Sequence, residues 1–195
     1  MGRPKVRTEA LRGELLSVAT GLLSSGGSAA LTTRAVAAGA GSSLAAVNEL
    51  FGGKAGLVRA IFAEGFTRLA EDLSALRPGD DPEADVLALA FAFRAFAHRH
   101  PNLYEVMFSR PFAEFRPDEE DLRAAIETRR IVVDRVAALP GVTHPKDAAL
   151  GLFAVIQGLV GLETAGLLGS TPESVTRRYH LTVSATVRGL TTPPT

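Results

Sequence analysis

The chain has 195 residues, with 21 basic and 21 acidic side chains and no cysteine. Disulfides and thiolate metal centres are therefore excluded, and the balanced charge does not by itself announce a nucleic-acid binder. A chain of this size can bury one large or two small cores.

The absence of cysteine suits a reducing cytoplasm, and no apolar stretch of signal-peptide type opens the chain. The periodic segments are rich in Ala and Leu and lack strand-like alternation. The expected class is all-α, with about nine helices: a three-helix head, a linking helix and a C-terminal helical bundle.

Residues 1–7 read as a basic arm. Its Gly2-Arg3-Pro4-Lys5 run resembles a hook that inserts into a narrow minor groove; the alternative is a basic terminus with no such role. A helix follows from Thr8 to Leu23, with Leu11, Leu15, Val18, Ala19 and Leu22 on one stripe. Ser24 to Ser28 ends it. Thr32 is an N-cap, and Val36, Ala37 and Ala40 give the next short helix an apolar face. Gly39 and Gly41 flank a bend where positive φ is expected. Ser43 caps the following helix, whose Val47, Leu50 and Phe51 point one way. Two short helices sharing a small core across a tight turn form a helix-turn-helix, with residues 8–53 as its domain. That motif presents its second helix to the DNA major groove.

A linking helix is expected over 54–76, closed by the Arg77-Pro78-Gly79-Asp80-Asp81-Pro82 run. Pro82 to His100 is apolar on nearly all sides apart from Arg94, as a central bundle helix would be. Pro101 opens a short helix to Phe108, and Pro111 to Pro117 is a loop. A charged amphipathic helix runs from Asp118 to Leu139. Long helices follow from Pro145 to Leu168 and from Pro172 to Leu190. Residues 77–190 form the bundle, and the tail 191–195 is expected to be disordered. The longest apolar run, Ala148 to Leu162, falls short of the roughly 20 residues of a membrane span and reads as a core helix.

Charge is distributed unevenly. Through residue 60 there are seven basic and three acidic side chains, a net +4 on the head that leaves the remainder near −4. A basic head on an acidic body fits DNA contact at one end. Arg34 can reach a backbone phosphate. Lys54 can clamp one together with the N–H groups at its helix start. The second helix of the motif offers Leu44, Ala45, Asn48 and Glu49 on its outer face, beside the capping Ser43. Asn48 is the strong base reader, because an amide pairs bidentately with adenine. Leu44 and Ala45 can touch thymine methyls, and Glu49 is more suited to solvent than to cytosine.

Residues 31 to 57 resemble the DNA-binding domain of the TetR family of bacterial repressors. The matching positions are Leu31-Thr32, Arg34, Val36-Ala37, Ala40-Gly41, Ser43, Val47, Phe51, Lys54 and Leu57. The chain departs at Asn48, where an aromatic is usual, and at Ala45, where Gly is common. His100-Pro101-Asn102-Leu103-Tyr104 with Met107-Phe108 resembles a helix junction of the TetR subfamily with a Trp-His-Gly motif. Phe153, Gln157 and Gly158 stand at the motif's positions. The resemblance implies a double-stranded operator as partner. It also implies a homodimer built on the last two long helices, with Gly158, Gly161, Leu162, Ala165, Val183 and Val187 at its interface.

Eight of the twelve aromatic residues fall between Phe91 and Phe153. Aromatic positions on helices are usually core, but apolar pockets between bundle helices are also standard small-molecule sites. A pocket for an apolar effector is expected from Phe91, Arg94, Tyr104, Met107, Phe108, Phe153 and Gln157. Arg94, Tyr104, Gln157 and Glu163 are polar groups in apolar helices and must be hydrogen-bonded where buried. His98 and His100, two residues apart, fall on different helix faces and do not suggest a metal pair. No cofactor and no catalytic set is indicated. The leading reading is a ligand-responsive repressor. The alternatives are a regulator without a ligand switch and a helical interaction protein.

Overall fold

The computed structural model describes residues 3–109, 112 and 115–191, except for the side chains of residues 3–7. Among them are nine helices and no strand: α1 (Arg3–Ala30), α2 (Thr33–Gly39), α3 (Leu44–Phe51), α4 (Lys54–Ser74), α5 (Pro82–Arg99), α6 (Pro101–Phe108), α7 (Leu122–Ala137), α8 (Pro145–Thr164) and α9 (Pro172–Thr191). The all-α expectation holds. Two compact units divide the chain, residues 1–68 with 99–125, and residues 69–98 with 126–195. This contact division differs from the expected boundaries at 54 and 77. It cuts α4 after Arg68 and joins α6 to the N-terminal helices.

The first unit is organised by α1. Leu15, Ala19 and Leu23 on its inner side are buried, with Leu31, Val36, Val47 and Leu57 from the following elements. The backbone is already helical at Arg3, within the stretch read as a basic arm. Pro4 sits in the first turn, where a missing N–H costs nothing. Gly27, at φ 65°, breaks the helical path inside the Ser24–Ser28 stretch, and a final turn continues to Ala30. Asn102 at the start of α6 donates through Nδ2 to the Ser24 carbonyl at 3.0 Å, tying α6 to α1.

A polar clasp closes this unit. Asp118 accepts from the Glu120 and Asp121 N–H groups, both at 3.0 Å, and the Asp121 carboxylate accepts from the Asp118 N–H at 2.9 Å. These reciprocal bonds form a turn, so α7 starts at Leu122 instead of Asp118. Arg59 of α4 donates to Asp118 and reaches Asp121 at 2.8 Å. The Asp121 N–H and the Arg59 guanidinium together hold the Asp118 carboxyl below its ordinary value. Phe62 packs edge-on against Phe115, with centroids 5.4 Å apart.

The second unit packs α8 against α9. Its core includes Phe96, Leu152, Tyr179, Val183 and Val187, all buried. The Tyr179 hydroxyl donates to the Ala90 carbonyl at 2.7 Å, so the largest buried ring leaves no orphan polar atom. Arg135 of α7 donates to the Leu76 carbonyl and stands 3.7 Å from Asp85, fastening the connection between α4 and α5.

Candidate nucleic-acid interface and the C-terminal cleft

The helix-turn-helix is built by local chemistry. The Thr32 side chain accepts from the Ala35 N–H and Ser43 from the Ala46 N–H, each at 3.1 Å, so both predicted caps are made. Val36 and Ala37 of α2 meet Val47 and Phe51 of α3 as the shared core. The bend uses its glycines differently from expectation. Gly41 has φ 56°, but Gly39 is the last residue of α2. A Cβ on Gly39 would stand 2.6 Å from Val18 Cγ1, so close approach to α1 requires it.

Packing one side of α3 turns the other outward. Ser43, Leu44, Ala45, Asn48 and Glu49 are all exposed, with Leu44 39% exposed despite its apolar side chain. Arg34 is exposed on α2, and α4 starts at Lys54 as expected. The Lys54 Nζ lies 5.2 Å from the centroid of the buried Phe112 ring, a contact not predicted from sequence. Arg12, counted from sequence only in the charge of the head, makes a second contact not predicted. Its guanidinium carbon lies 4.6 Å over the ring of Phe51, at the C-terminal end of α3. Only its place beside the stripe residues Leu11 and Leu15 hinted at this. The side chains of Arg3 and Lys5 lie outside the described residues.

The expected pocket residues divide between the units, and most of them are engaged in packing there. In the first unit, Met107 is buried, and a Cβ on Gly65 would stand 2.6 Å from its Sδ. Phe108 meets Phe66 edge-on at 5.5 Å and the tilted ring of Tyr104 at 4.8 Å. Burial pushes the Tyr104 phenol up to about 12. In the second unit, Phe91 packs on Tyr179 at 5.3 Å, Phe153 meets Phe93 at 5.7 Å, and Gln157 is half-buried.

Of the expected set, Arg94 alone lines the surface cleft of about 320 Å³ found in the second unit. Glu163, Ser170, Thr171, Val175 and Thr176 share the lining. Arg94 makes a bidentate pair with Glu163: Nε donates to Oε2 at 2.7 Å and Nη2 to Oε1 at 2.6 Å. His98 Nε2 lies 3.0 Å from the same Oε1, and the guanidinium lies 5.1 Å over the Tyr179 ring. The Arg94 bonds hold the Glu163 carboxyl below its ordinary value, and Glu163 raises Arg94 in turn. Two of the four polar groups singled out from sequence thus satisfy each other.

The expected dimer residues separate as well. Gly158, Gly161 and Leu162 are exposed along one side of α8, with Ala165 exposed at its C-cap and Leu150 65% exposed on the same side. Val183 and Val187 are corrected: at 0% and 1% exposure they face the unit's own core. Leu181 and Ala185 are exposed on α9 in their place. The membrane comparison also changes, because α8 spans 20 residues and has the length and hydropathy of a membrane-crossing helix. Its buried side, Ala149, Leu152, Ile156, Leu159 and Val160, belongs to the core of the second unit.

Comparison with known proteins places these features in context. Residues 15–61 match the family model for bacterial regulatory proteins of the tetR family, and residues 86–186 match a tetracyclin repressor-like C-terminal domain. No curated protein matches the chain in sequence. A solved protein of unknown function from Rhodococcus sp. RHA1 is 27% identical, with a TM-score of 0.80 over 93% of this chain and 96% of that one. The transcriptional regulator SCO7222, a TetR from Streptomyces coelicolor, is 21% identical, with a TM-score of 0.69 over 92% and 97% of the two chains. A TetR variant from Acinetobacter baumannii AYE, solved in complex with minocycline, is 21% identical, with a TM-score of 0.65 over 91% and 94%.

Proposed function

Because the chain belongs to the TetR family of bacterial regulatory proteins and is a DNA-binding transcriptional regulator, we propose that it acts as a homodimeric repressor. In this reading a small apolar effector releases it from a palindromic operator in the cytoplasm. The outward face of α3 carries the proposal: Leu44, Ala45 and Asn48 are exposed together on a helix capped and seated by its neighbours. Arg34 and Lys54 supply phosphate contacts, which set affinity and register. Asn48 supplies base readout. Arg3 and Lys5 remain candidates for minor-groove contact.

Selection of bound duplexes from a random pool tests this reading. The wild type should enrich a palindrome with half-sites about 34 Å apart. Asn48→Ala should relax one or two positions in each half-site, at a cost of about 1–3 kcal/mol each. An unchanged motif from the variant would remove Asn48 from base readout. No enrichment by the wild type would remove sequence-specific binding.

The exposed small-residue side of α8 supports the dimer, because glycines and Ala165 allow a partner helix to approach closely. Leu162 and Leu181 add exposed apolar area. Sedimentation that returns only a 20.5 kDa species at micromolar concentration would refute it.

The aromatic content of residues 91–153 supports an apolar effector, and the minocycline complex of the Acinetobacter baumannii protein supports a small-molecule one. A ligand shifts the DNA-bound population only through its differential affinity for the two states. The second reading, a regulator without a ligand switch, is favoured by one observation. Phe91, Phe108 and Phe153 are engaged in packing, and Arg94 is engaged with Glu163. A panel of apolar compounds distinguishes them: a switch requires at least one to change both melting temperature and duplex retention.

A further inference from the structure

We propose that Phe112 is a positioning residue for DNA binding: its ring seats the Lys54 ammonium so that the lysine meets a backbone phosphate in a preset geometry. The inference rests on the phosphate-contact reading of Lys54 given above.

Three observations carry it. The Lys54 side chain is exposed, yet its Nζ lies 5.2 Å from the Phe112 centroid, within the range of an attractive cation–π contact. Phe112 itself is 5% exposed, so the ring is a fixed platform and not a second mobile side chain. Phe112 is tied through Phe115 to α4, the helix that starts at Lys54: the Phe115 N–H donates to the Phe112 carbonyl at 3.2 Å. Phe115 packs on Phe62, and Asp118 and Asp121 hold Arg59. The platform and the lysine are thus both anchored on α4.

The physical consequence is a reduced cost of binding. A free lysine loses much rotamer freedom when it pairs with a phosphate, and a seated one has already lost part of it. The ring attracts the ammonium through its negative face but occupies only one side of it. The remaining N–H donors stay available, beside the free N–H groups at the α4 N-terminus.

The test uses the full chain and the duplex enriched by the wild type, with Phe112→Leu, Phe112→Tyr, Lys54→Gln and the Phe112→Leu/Lys54→Gln double variant. Phe112→Leu is expected to weaken binding about 3- to 10-fold, part of the rotamer freedom that an unseated lysine loses on pairing. Its salt slope should stay near that of the wild type, because the lysine charge still meets the phosphate, whereas Lys54→Gln should be shallower by about 0.9. Phe112→Tyr keeps the ring face and should bind like the wild type. In the Lys54→Gln background, Phe112→Leu should cost nothing further. If Phe112→Leu does not fold, pentafluorophenylalanine at position 112 keeps the ring's shape and reverses its face potential; it should reproduce the loss. A loss that persists in the Lys54→Gln background, or wild-type affinity in the leucine and fluorinated variants, would overturn the inference.

A ring-current upfield shift of the Lys54 ε-protons in the DNA-free protein is a separate requirement. If that shift is present and Lys54→Gln leaves affinity and salt slope unchanged, the phosphate reading of Lys54 has failed while the seating stands. If the shift is absent, the seating has failed whatever the DNA result.

Discussion

Gly56→Ala should lose about 3 kcal/mol or more of stability in the first unit and fall below detectable duplex retention. Gly56 lies in the first turn of α4. A Cβ there would press into the Phe51 carbonyl oxygen and stand 2.7 Å from its carbonyl carbon. Both atoms are backbone, so no rotamer change relieves the clash. Only moving α3 relative to the start of α4 does, and that displaces the exposed face of α3 from Lys54. Gly13→Ala is the control. Its Cβ would meet nothing within 4 Å on an exposed turn of α1. Removing a helical glycine there should stabilise by about 0.5–1 kcal/mol. Urea denaturation followed by circular dichroism, with duplex retention on the same samples, measures both. A Gly56→Ala protein that unfolds with the wild type would show that the α3–α4 junction adapts freely.

Glu163→Ala should destabilise the second unit by about 3 kcal/mol, the lower end for breaking a buried ion pair. The lower end applies because the Arg94 and Glu163 side chains retain 15% and 11% exposure. The loss arises less from the missing attraction than from an Arg94 left in its site without its carboxylate. Replacing both partners by apolar residues of similar size, as in Arg94→Met/Glu163→Leu, should recover most of it. The pair also sets a pH dependence. Glu163 has its carboxyl lowered from 4.5, first by the Arg94 hydrogen bond and then by His98. A depressed carboxylate contributes stability that is fully present above its unfolded value and lost as pH falls through the folded one. Wild-type stability should therefore carry a descending limb below about pH 4.5 that is shallower in Glu163→Gln. Parallel curves for the two proteins would mean that the ion pair is not linked to folding.

Much of the head is legible in sequence because its determinants are local. Thr32 and Ser43 cap helices that begin one residue later, and Lys54 opens α4 after the Gly52-Gly53 pair. Each can be read within a few residues, since capping and helical periodicity act over one or two turns. The clasp between Arg59 and Asp121 cannot be read this way. Its partners come from different elements, and each looks like an ordinary surface charge along the chain. Lys54 and Phe112 are a case of the same kind.

In the body, the sequence shows that Arg94 and Glu163 are polar groups in apolar helices that require partners. It does not show that they are each other's partner. Aromatic composition suggests a pocket but not which rings are engaged in packing. Phe91 on Tyr179 and Phe108 on Phe66 are core contacts within their own units. α9 carries small and apolar residues on more than one side, so its rotation is ambiguous from pattern alone. Packing against α8 resolved it by burying Val183 and Val187 and leaving Leu181 and Ala185 outside.

The amino-acid sequence alone determined an all-α chain, a capped helix-turn-helix near its start, and the residues offered on the outer face of α3. Those features follow from backbone hydrogen bonding and side-chain periodicity over short stretches. The tertiary structure decided which charges pair, which rings fill the core, and which side of α8 and α9 is left uncovered. These depend on contacts between residues tens of positions apart, and short-range periodicity carries no information about them.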